Sequence, residues 1–235
     1  MLVDNLRNVQ LAINEALAKR KVPNKTFLTG ADVTVVAVTK NHPAEVICEA
    51  IAAGVTDIGE NRVQEAKHKQ ETHGKKGRWH LIGHLQSNKV RQAVHLFDVI
   101  ESVDSEKLLR LIDSEAAAIG KVQDVLLQVN VAAEEQKSGF TYDEYEKAVP
   151  LTREFKNIRV RGLMILAPKC DDPEQVRPVF AEGYRLFCEL KESLPGVDTL
   201  SMGMSGDYAV AVEEGANQVR LGTILFGARD YTLQL

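Results

Sequence analysis

The sequence is poor in cysteine, with only Cys48, Cys170 and Cys188 among 235 residues. An odd number without close spacing does not form the pattern of a disulfide framework. No apolar run approaches the roughly 18 residues of a membrane span, and the start, Met-Leu-Val-Asp-Asn, lacks the basic and apolar segments of a signal peptide. We therefore expect a reduced, cytoplasmic protein that makes no membrane contact.

An excess of positive charge is also absent. Lysine and arginine number 29 against 33 acidic residues, a formal net charge of -4. This balance supplies no electrostatic footprint for nucleic acid or an anionic membrane. The densest basic stretch, 67–78, is interspersed with acidic residues, and we interpret it as a solvated helix end and loop. The 44% of hydrophobic residues fits one sizeable core.

Apolar, β-branched runs alternate with helical patterns along most of the chain. An amphipathic helix over 3–19, with Asp4 as its N-cap, comes first. Predicted strands follow at 33–40, 56–59, 79–83, 98–103, 125–131, 160–166, 199–204 and 219–226. Predicted helices lie between most of them, at 43–53, 62–71, 88–96, 105–119, 142–155, 173–194 and 208–214.

Several helix boundaries carry their own signals. Pro43 suits a first turn, Asp104-Ser105 a cap, and Thr141 with Glu144 a capping box. Three glycines stand where helix C-termini are expected, namely Gly54, Gly120 and Gly196.

This alternation predicts an α/β fold: a single-domain (β/α)₈ barrel over 1–235 with an extra N-terminal helix. The first and fifth strands are apolar at nearly every position, as strands buried on both faces of a parallel sheet are. A doubly wound open sheet is the alternative, but its Gly-x-Gly-x-x-Gly signal after the first strand is missing. The barrel uses the whole length, so we expect no second domain.

Active sites of such barrels lie at the carboxyl ends of the strands. The first strand ends in Thr39-Lys40. Burying an ammonium group is costly and lowers its pKa, and the neutral amine is the nucleophile that attacks an aldehyde. Lys40 is therefore a candidate imine-forming residue; the alternative is a lysine that extends into a polar loop.

Polar residues also follow the second and third strands. The second ends in Gly59-Glu60-Asn61-Arg62. His80 and His84 have the spacing of a helical metal pair, but this segment is predicted as strand and loop, where the spacing does not bring two imidazoles together. We therefore predict no metal site.

The seventh and eighth strands end in small residues and hydroxyls. Ser205-Gly206-Asp207 precedes a helix, and Gly222-Thr223 follows a strand. Glycines and backbone N–H groups at a helix N-terminus suit a phosphate, which barrels often bind at this place; a simple turn and cap is the alternative. Arg220 is in phase with Gly222, faces the interior and needs a carboxylate or ligand partner.

A lysine amine and a phosphate site at one barrel end predict a ligand that carries both an aldehyde and a phosphate. Pyridoxal phosphate satisfies both conditions. A sugar phosphate in a cofactor-free Schiff-base aldolase does so as well.

Seven segments of the chain resemble the pyridoxal phosphate homeostasis protein family. They are AVTK at 37–40, GENRVQE at 59–65, WHLIG at 79–83, LQSNK at 85–89, LM at 163–164, LSMGMS at 200–205 and VRLGTILFG at 219–227. The resemblance covers nearly the whole chain in order. It implies the barrel of fold-type III pyridoxal phosphate enzymes, similar to the N-terminal domain of alanine racemase, and a cofactor-binding protein without an established reaction.

The resemblance also implies roles for individual residues. Lys40 would form the internal aldimine with pyridoxal 5'-phosphate. Asn61 and His80 would lie near the ring or its 3-hydroxyl, and Arg220 would meet the pyridine nitrogen or, alternatively, the phosphate. The residues implied around the phosphate, or otherwise in cofactor contact, are Ser201, Met202, Gly203, Ser205, Gly222 and Thr223.

Carrier and enzyme are both compatible with such a site. A racemase needs a base on each face of the substrate carbon, and alanine racemase takes its second base from a separate domain that we do not expect here. We therefore favour a monomeric, non-catalytic carrier that maintains the cofactor supply and amino-acid balance and transiently serves apo-enzymes. A weak racemase or lyase using Lys40 with His80 or Tyr231, and the cofactor-free aldolase, are the alternatives.

Overall fold

A computed structural model describes residues 1–20, 33–132 and 138–227. The described residues contain eight parallel strands that close into a barrel in sequence order, with β8 paired to β1. The strands are β1 Thr34–Val38, β2 Asp57–Glu60, β3 Arg78–Leu81, β4 Val99–Val103, β5 Gln123–Val129, β6 Ile158–Ile165, β7 Thr199–Ser201 and β8 Gln218–Leu221. The predicted barrel is confirmed.

The helices form the outer layer and begin close to the predicted positions. In the described part they are α1 Leu2–Lys19, α2 Glu45–Ala52, α3 Val63–His73, α4 Val90–Leu96, α5 Glu106–Ala118, α6 Tyr142–Leu151, α7 Arg177–Ser193, α8 Tyr208–Glu213 and α9 Thr223–Phe226. Short 3₁₀ turns at Ser87–Lys89 and Pro173–Val176 lead into α4 and α7, and one at Thr152–Glu154 follows α6. No helix among the described residues is both long and apolar enough to cross a membrane.

Local signals predicted some helix ends correctly. Ser105 accepts a hydrogen bond from the Leu108 backbone N–H at the start of α5, and Thr141 with Glu144 forms a complete capping box at α6. Asp4 is not the N-cap of α1, however, because the helix begins after Met1 and Asp4 lies in its first turn, 3.2 Å from the terminal amine. Pro43 precedes α2, which starts at Glu45.

The last two predicted strands are too long. β7 ends at Ser201, and Gly203 then turns the chain with φ +96°. Predicted strand 219–226 is wrong in its second half, because β8 ends at Leu221 and residues from Thr223 form the short helix α9. Isoleucine, leucine and phenylalanine suit a buried strand or a buried helix equally, so the apolar pattern did not separate them.

The basic stretch on α3 is not uniformly solvated. Lys67 is exposed, but the side chain of Lys69 is completely buried. Lys69 lies one helical turn after Glu65 and faces the barrel, where it pairs with Glu65 and Glu60. The interpretation of this segment as a solvated surface was wrong for Lys69, since composition does not show which face of a helix a residue occupies.

Candidate functional site

A cavity of about 490 Å³ opens at the carboxyl ends of the strands. β1 and β8 and the segments that follow β1, β2, β3, β6, β7 and β8 contribute its walls. The described residues that line it are Val38, Lys40, Asn61, Ile82, Leu166, Ala167, Lys169, Met204, Ser205, Gly206, Arg220, Gly222 and Thr223. Its volume falls within the 300–1,000 Å³ typical of small-molecule sites.

Lys40 enters this cavity from the end of β1. The strand is buried from Val36 to Val38, and Thr39 continues its pairing through a 3.1 Å hydrogen bond from its backbone N–H to the Gly59 carbonyl. Asn41 follows with φ +58°, so the chain turns sharply after the lysine. The amine is thus carried by the last residue before a turn, at the mouth of the barrel.

Asn61 supplies a buried polar atom that no described residue contacts through a hydrogen bond. It follows β2, and its Oδ1 is buried without a hydrogen bond among the described residues. Gly83 passes very close: a Cβ on Gly83 would lie 2.4 Å from the Asn61 carbonyl oxygen and 2.9 Å from its Cβ. Because a buried polar atom without a partner is costly, this oxygen is suited to a ligand's hydrogen-bond donor.

Hydroxyls and backbone N–H groups line the wall formed by the ends of β7 and β8. Ser205 Oγ accepts long hydrogen bonds from the backbone N–H groups of Gly222, at 3.4 Å, and Ile224, at 3.3 Å. Thr223 is exposed beside them. A turn is present as well, since the Asp207 carboxylate accepts a 2.6 Å hydrogen bond from the Met204 N–H. The segment is therefore both a turn and part of the cavity wall.

Arg220 reaches the cavity from inside the barrel. Its Nη1 donates to Ser201 Oγ at 2.6 Å and its Nη2 to the Ile165 carbonyl at 2.8 Å. Burial lowers the pKa of Arg220, while the charges of Glu101 and Asp207 oppose that shift. The predicted interior arginine thus has protein partners, and its orientation is set before any ligand binds.

Behind Arg220, a chain of buried polar groups continues across the barrel interior. Ser201 Oγ donates to Glu101 Oε2 at 2.6 Å, and Gln218 Nε2 donates to Glu101 Oε1 at 2.8 Å. His80 lies between Glu101, 2.7 Å from Nδ1, and Asp57, 2.9 Å from Nε2. Both ring nitrogens of His80 are therefore engaged away from the cavity.

The ten predicted site residues divide into three groups. Six of them line the cavity: Lys40, Asn61, Ser205, Arg220, Gly222 and Thr223. His80 and Ser201 belong instead to the interior chain of polar groups. Met202 and Gly203 are packed outside the cavity, where a Cβ on Gly203 would lie 2.7 Å from the Cβ of Ala211 on α8.

Two features of the site were missed from the sequence. Lys169 and its neighbours Leu166 and Ala167 line the cavity after β6. The rule that strand ends carry the site would have found this second lysine. Glu101 was the other feature, and its signal was a carboxylate in the middle of the buried strand Val99–Val103.

The barrel with a lysine after its first strand defines the class of this protein. A family model described as alanine racemase, N-terminal domain, matches residues 15–230. Alanine racemase of Clostridium difficile 630 has the same fold, with a TM-score of 0.73 at 16% identity over 96% of this chain and 60% of that one. The likeness extends to a much smaller protein, PipY of Synechococcus elongatus, whose structure was solved with pyridoxal phosphate bound.

PipY matches with a TM-score of 0.81 and 36% identity, covering 97% of this chain and all of that one. The pyridoxal phosphate homeostasis protein of Aquifex aeolicus is 43% identical over 82% of this chain and 86% of its own. That of Pasteurella multocida is 36% identical over 97% of both chains. The chain belongs to the pyridoxal phosphate homeostasis protein family.

Proposed function

We propose that this protein binds pyridoxal 5'-phosphate in the cavity at the carboxyl ends of the strands and acts as a carrier of that cofactor. One observation carries the proposal: the amine-bearing Lys40 and the polar wall of Ser205, Gly222 and Thr223 line the same 490 Å³ cavity. An aldehyde that also carries a phosphate is the ligand that uses both. The bound cofactor in PipY supports the same assignment.

The residues present fit this cofactor. Lys40 would hold its aldehyde, and the hydroxyls and N–H groups of the opposite wall would bind its phosphate. Buried Asn61 Oδ1 would accept a hydrogen bond from a polar group of the ligand. The apolar residues Val38, Ile82 and Leu166 of the same cavity would pack against an aromatic ring.

When bound, pyridoxal phosphate supplies an electrophilic aldehyde and an electron-withdrawing ring. Arg220 places a permanent cation at the cavity wall, and its partners inside the barrel hold that cation in place. A ring nitrogen next to this guanidinium would stay unprotonated, because two adjacent cations repel each other. In that position Arg220 would weaken the ring as an electron sink and so disfavour chemistry through a substrate carbanion.

The residues around the cavity also favour a carrier. His80, one of the two bases considered for an enzyme, has both ring nitrogens bound to buried carboxylates and does not line the cavity. Tyr231, the other, lies outside the described residues. Lys169 is the described cavity residue that could supply a second base, so weak racemase or lyase activity is the alternative.

The visible absorption spectrum tests binding. Adding pyridoxal phosphate to the protein should produce a band that is absent in Lys40→Ala and retained in Lys67→Ala, which replaces an exposed lysine that does not line the cavity. Borohydride reduction followed by peptide mapping then locates the modified lysine. A label on Lys169 would show that Lys169, not Lys40, binds the aldehyde. A protein that stays colourless with pyridoxal phosphate, but whose Lys40 is trapped by a sugar phosphate and borohydride, would instead be an aldolase.

Proton exchange at the α-carbon of amino acids in heavy water separates carrier from enzyme. A carrier should exchange these protons no faster than free pyridoxal phosphate does. Fast exchange that disappears in Lys40→Ala would overturn the carrier, and its loss in Lys169→Ala would identify the second base. Cofactor transfer is measured by the recovery of activity of a pyridoxal phosphate-dependent apo-enzyme mixed with the loaded protein.

A further inference from the structure

A cluster of three charged side chains is buried directly behind Lys40. Lys69 Nζ lies 2.7 Å from Glu60 Oε1 and 2.8 Å from Glu65 Oε1. The side chains of Lys69 and Glu60 are completely inaccessible to solvent, and Glu65 is nearly so. None of the three lines the cavity described above.

The cluster contacts the main chain on both sides of Lys40. On the side before it, Lys69 Nζ donates to the Thr39 carbonyl at 2.7 Å, and Thr39 Oγ1 donates to Glu60 Oε1 at 2.5 Å. On the side after it, the Asn41 backbone N–H donates to Glu65 Oε1 at 2.7 Å. Lys69 Nζ contacts both carboxylates, so the main chain before and after Lys40 is bonded to the same buried cluster.

Stability alone is a weak explanation for this arrangement. Burying three ionisable groups carries a large desolvation cost, and apolar replacements of similar volume are often as stable or more so. Burial raises the pKa of Glu60 to about 7, against the opposing charge of Lys69. The contacts do, however, hold a specific local geometry, since the Asn41 N–H that Glu65 accepts belongs to a turn residue with the left-handed φ of +58°, which asparagine adopts more often than most residues.

We infer that Lys69, Glu60 and Glu65 are positioning residues that hold the backbone around Lys40 and thereby direct its amine into the cavity. They touch neither cavity nor ligand and act through the main chain of Thr39 and Asn41. The effect of these residues on ligand capture rests on the proposed function. Their effect on the backbone around Lys40 does not depend on it. Misplacing a reacting group by about 1 Å can lower a rate by about 100-fold.

The first test needs no ligand. Hydrogen exchange of the Asn41 amide, followed by NMR or by mass spectrometry of peptides over 38–44, should be slow in the wild type and at least ten-fold faster in Glu65→Met, which removes the acceptor of that N–H, and in Lys69→Met. Lys67→Met, two residues away on the exposed face of α3, should leave it unchanged. Equal protection in all four proteins would overturn the inference even if Lys40 binds the cofactor.

The second test follows covalent capture. The rate at which cyanoborohydride traps pyridoxal phosphate on Lys40, read by peptide mapping, should fall about 10–100-fold in Lys69→Met and stay unchanged in Lys67→Met. An unaltered rate in a folded Lys69→Met protein would refute the positioning role. Absence of trapping on Lys40 in the wild type would refute the proposed function instead, and the amide-exchange result would still decide the inference.

A conservative pair of variants covers the case in which Lys69→Met does not fold. Thr39→Val keeps the shape of the buried side chain but removes the hydroxyl that donates to Glu60, whereas Thr39→Ser restores it. We expect slower trapping and faster Asn41 exchange in Thr39→Val, with recovery in Thr39→Ser at equal thermal stability. If the cluster had a purely structural role, the trapping rate would follow thermal stability in every variant. Thr39→Ser would then recover trapping only as far as it recovered stability.

Discussion

His80 and Glu101 form a buried ion pair across two neighbouring strands of the barrel, with Nδ1 2.7 Å from Oε1. Asp57 closes the other side of the imidazole at 2.9 Å. Burial alone would lower the pKa of His80, but hydrogen bonds and charges from Asp57 and Glu101 outweigh it and raise the pKa above 6.5. Burial acts against ionised Glu101 too, and its contacts with His80 still lower its pKa.

Replacing His80 should change how stability depends on pH. Because the folded-state pKa of His80 is raised, its contribution is complete below 6.5 and is lost as the pH rises through the folded value. We expect His80→Gln to cost about 3–5 kcal/mol near pH 6, by removing the imidazolium between two buried carboxylates, and less at alkaline pH. Urea unfolding of both proteins between pH 6 and about 9 measures the difference.

The wild type alone cannot identify His80, because Glu60 also makes the free energy of unfolding fall as the pH rises. Subtracting the His80→Gln values removes the contribution of Glu60, which both proteins share. Its pKa is raised to about 7 by burial, so its ionisation also destabilises the fold as the pH rises between 4.5 and 7. Exposed His84→Gln is the matched control. A stability difference between wild type and His80→Gln that stays constant with pH would contradict the assignment of a protonated His80.

Replacing Ser201 should mainly lower stability, whereas replacing Thr223 should mainly weaken ligand binding, although both residues were predicted near the phosphate. Ser201 joins Arg220 to Glu101 inside the barrel, so Ser201→Ala should lower the free energy of unfolding by about 1–3 kcal/mol without any ligand. Thr223 is exposed at the cavity, so Thr223→Ala should change stability by less than about 0.5 kcal/mol and weaken pyridoxal phosphate binding by about 1–3 kcal/mol.

Urea unfolding and a spectroscopic titration with pyridoxal phosphate make both measurements on the same samples. Unchanged stability in Ser201→Ala would show that the interior chain does not hold Arg220. Unchanged affinity in Thr223→Ala would place the phosphate elsewhere in the cavity.

Gly83→Ala should act through Asn61. The new methyl group would lie within 3 Å of three Asn61 atoms, so Asn61 must move and its buried Oδ1 with it. We expect weaker binding of pyridoxal phosphate, by roughly ten-fold for a displaced hydrogen bond. A double-mutant cycle provides the control: in an Asn61→Ala background, Gly83→Ala should weaken binding no further. Additive losses would mean that Gly83 acts on another group.

Arg20 should matter for stability far from the cavity. At the end of α1 its guanidinium is buried, donating to the carbonyls of Val212 at 2.7 Å and Ala216 at 2.5 Å. Arg20→Met should lower the free energy of unfolding by about 2–3 kcal/mol, since two carbonyls lose charged donors. Lys19→Met removes an exposed charge instead and should have little effect. Equal unfolding curves for the two variants would contradict this role.

Much of this protein could be predicted from residue order because its signals are local. Each apolar strand and each amphipathic helix has a pattern that a short stretch of sequence shows. Their alternation and their number predict a parallel barrel. Lys40 was recognisable as a polar residue closing an apolar strand. Ser105 and Thr141 could be assigned as caps because capping involves neighbours three residues apart.

The sequence did not predict which polar side chains lie inside the barrel and which line the cavity at its end. His80 and Ser201 lie on strands whose ends carry the site, yet each bonds to Glu101, 21 and 100 residues away in the chain. Lys69 belongs to a basic segment and became a buried partner of Glu60 only because α3 packs against β2. Residue types therefore determined the barrel and the lysine at the end of its first strand. Tertiary packing decided which polar groups face the cavity and which bind one another, because those contacts join segments remote in sequence.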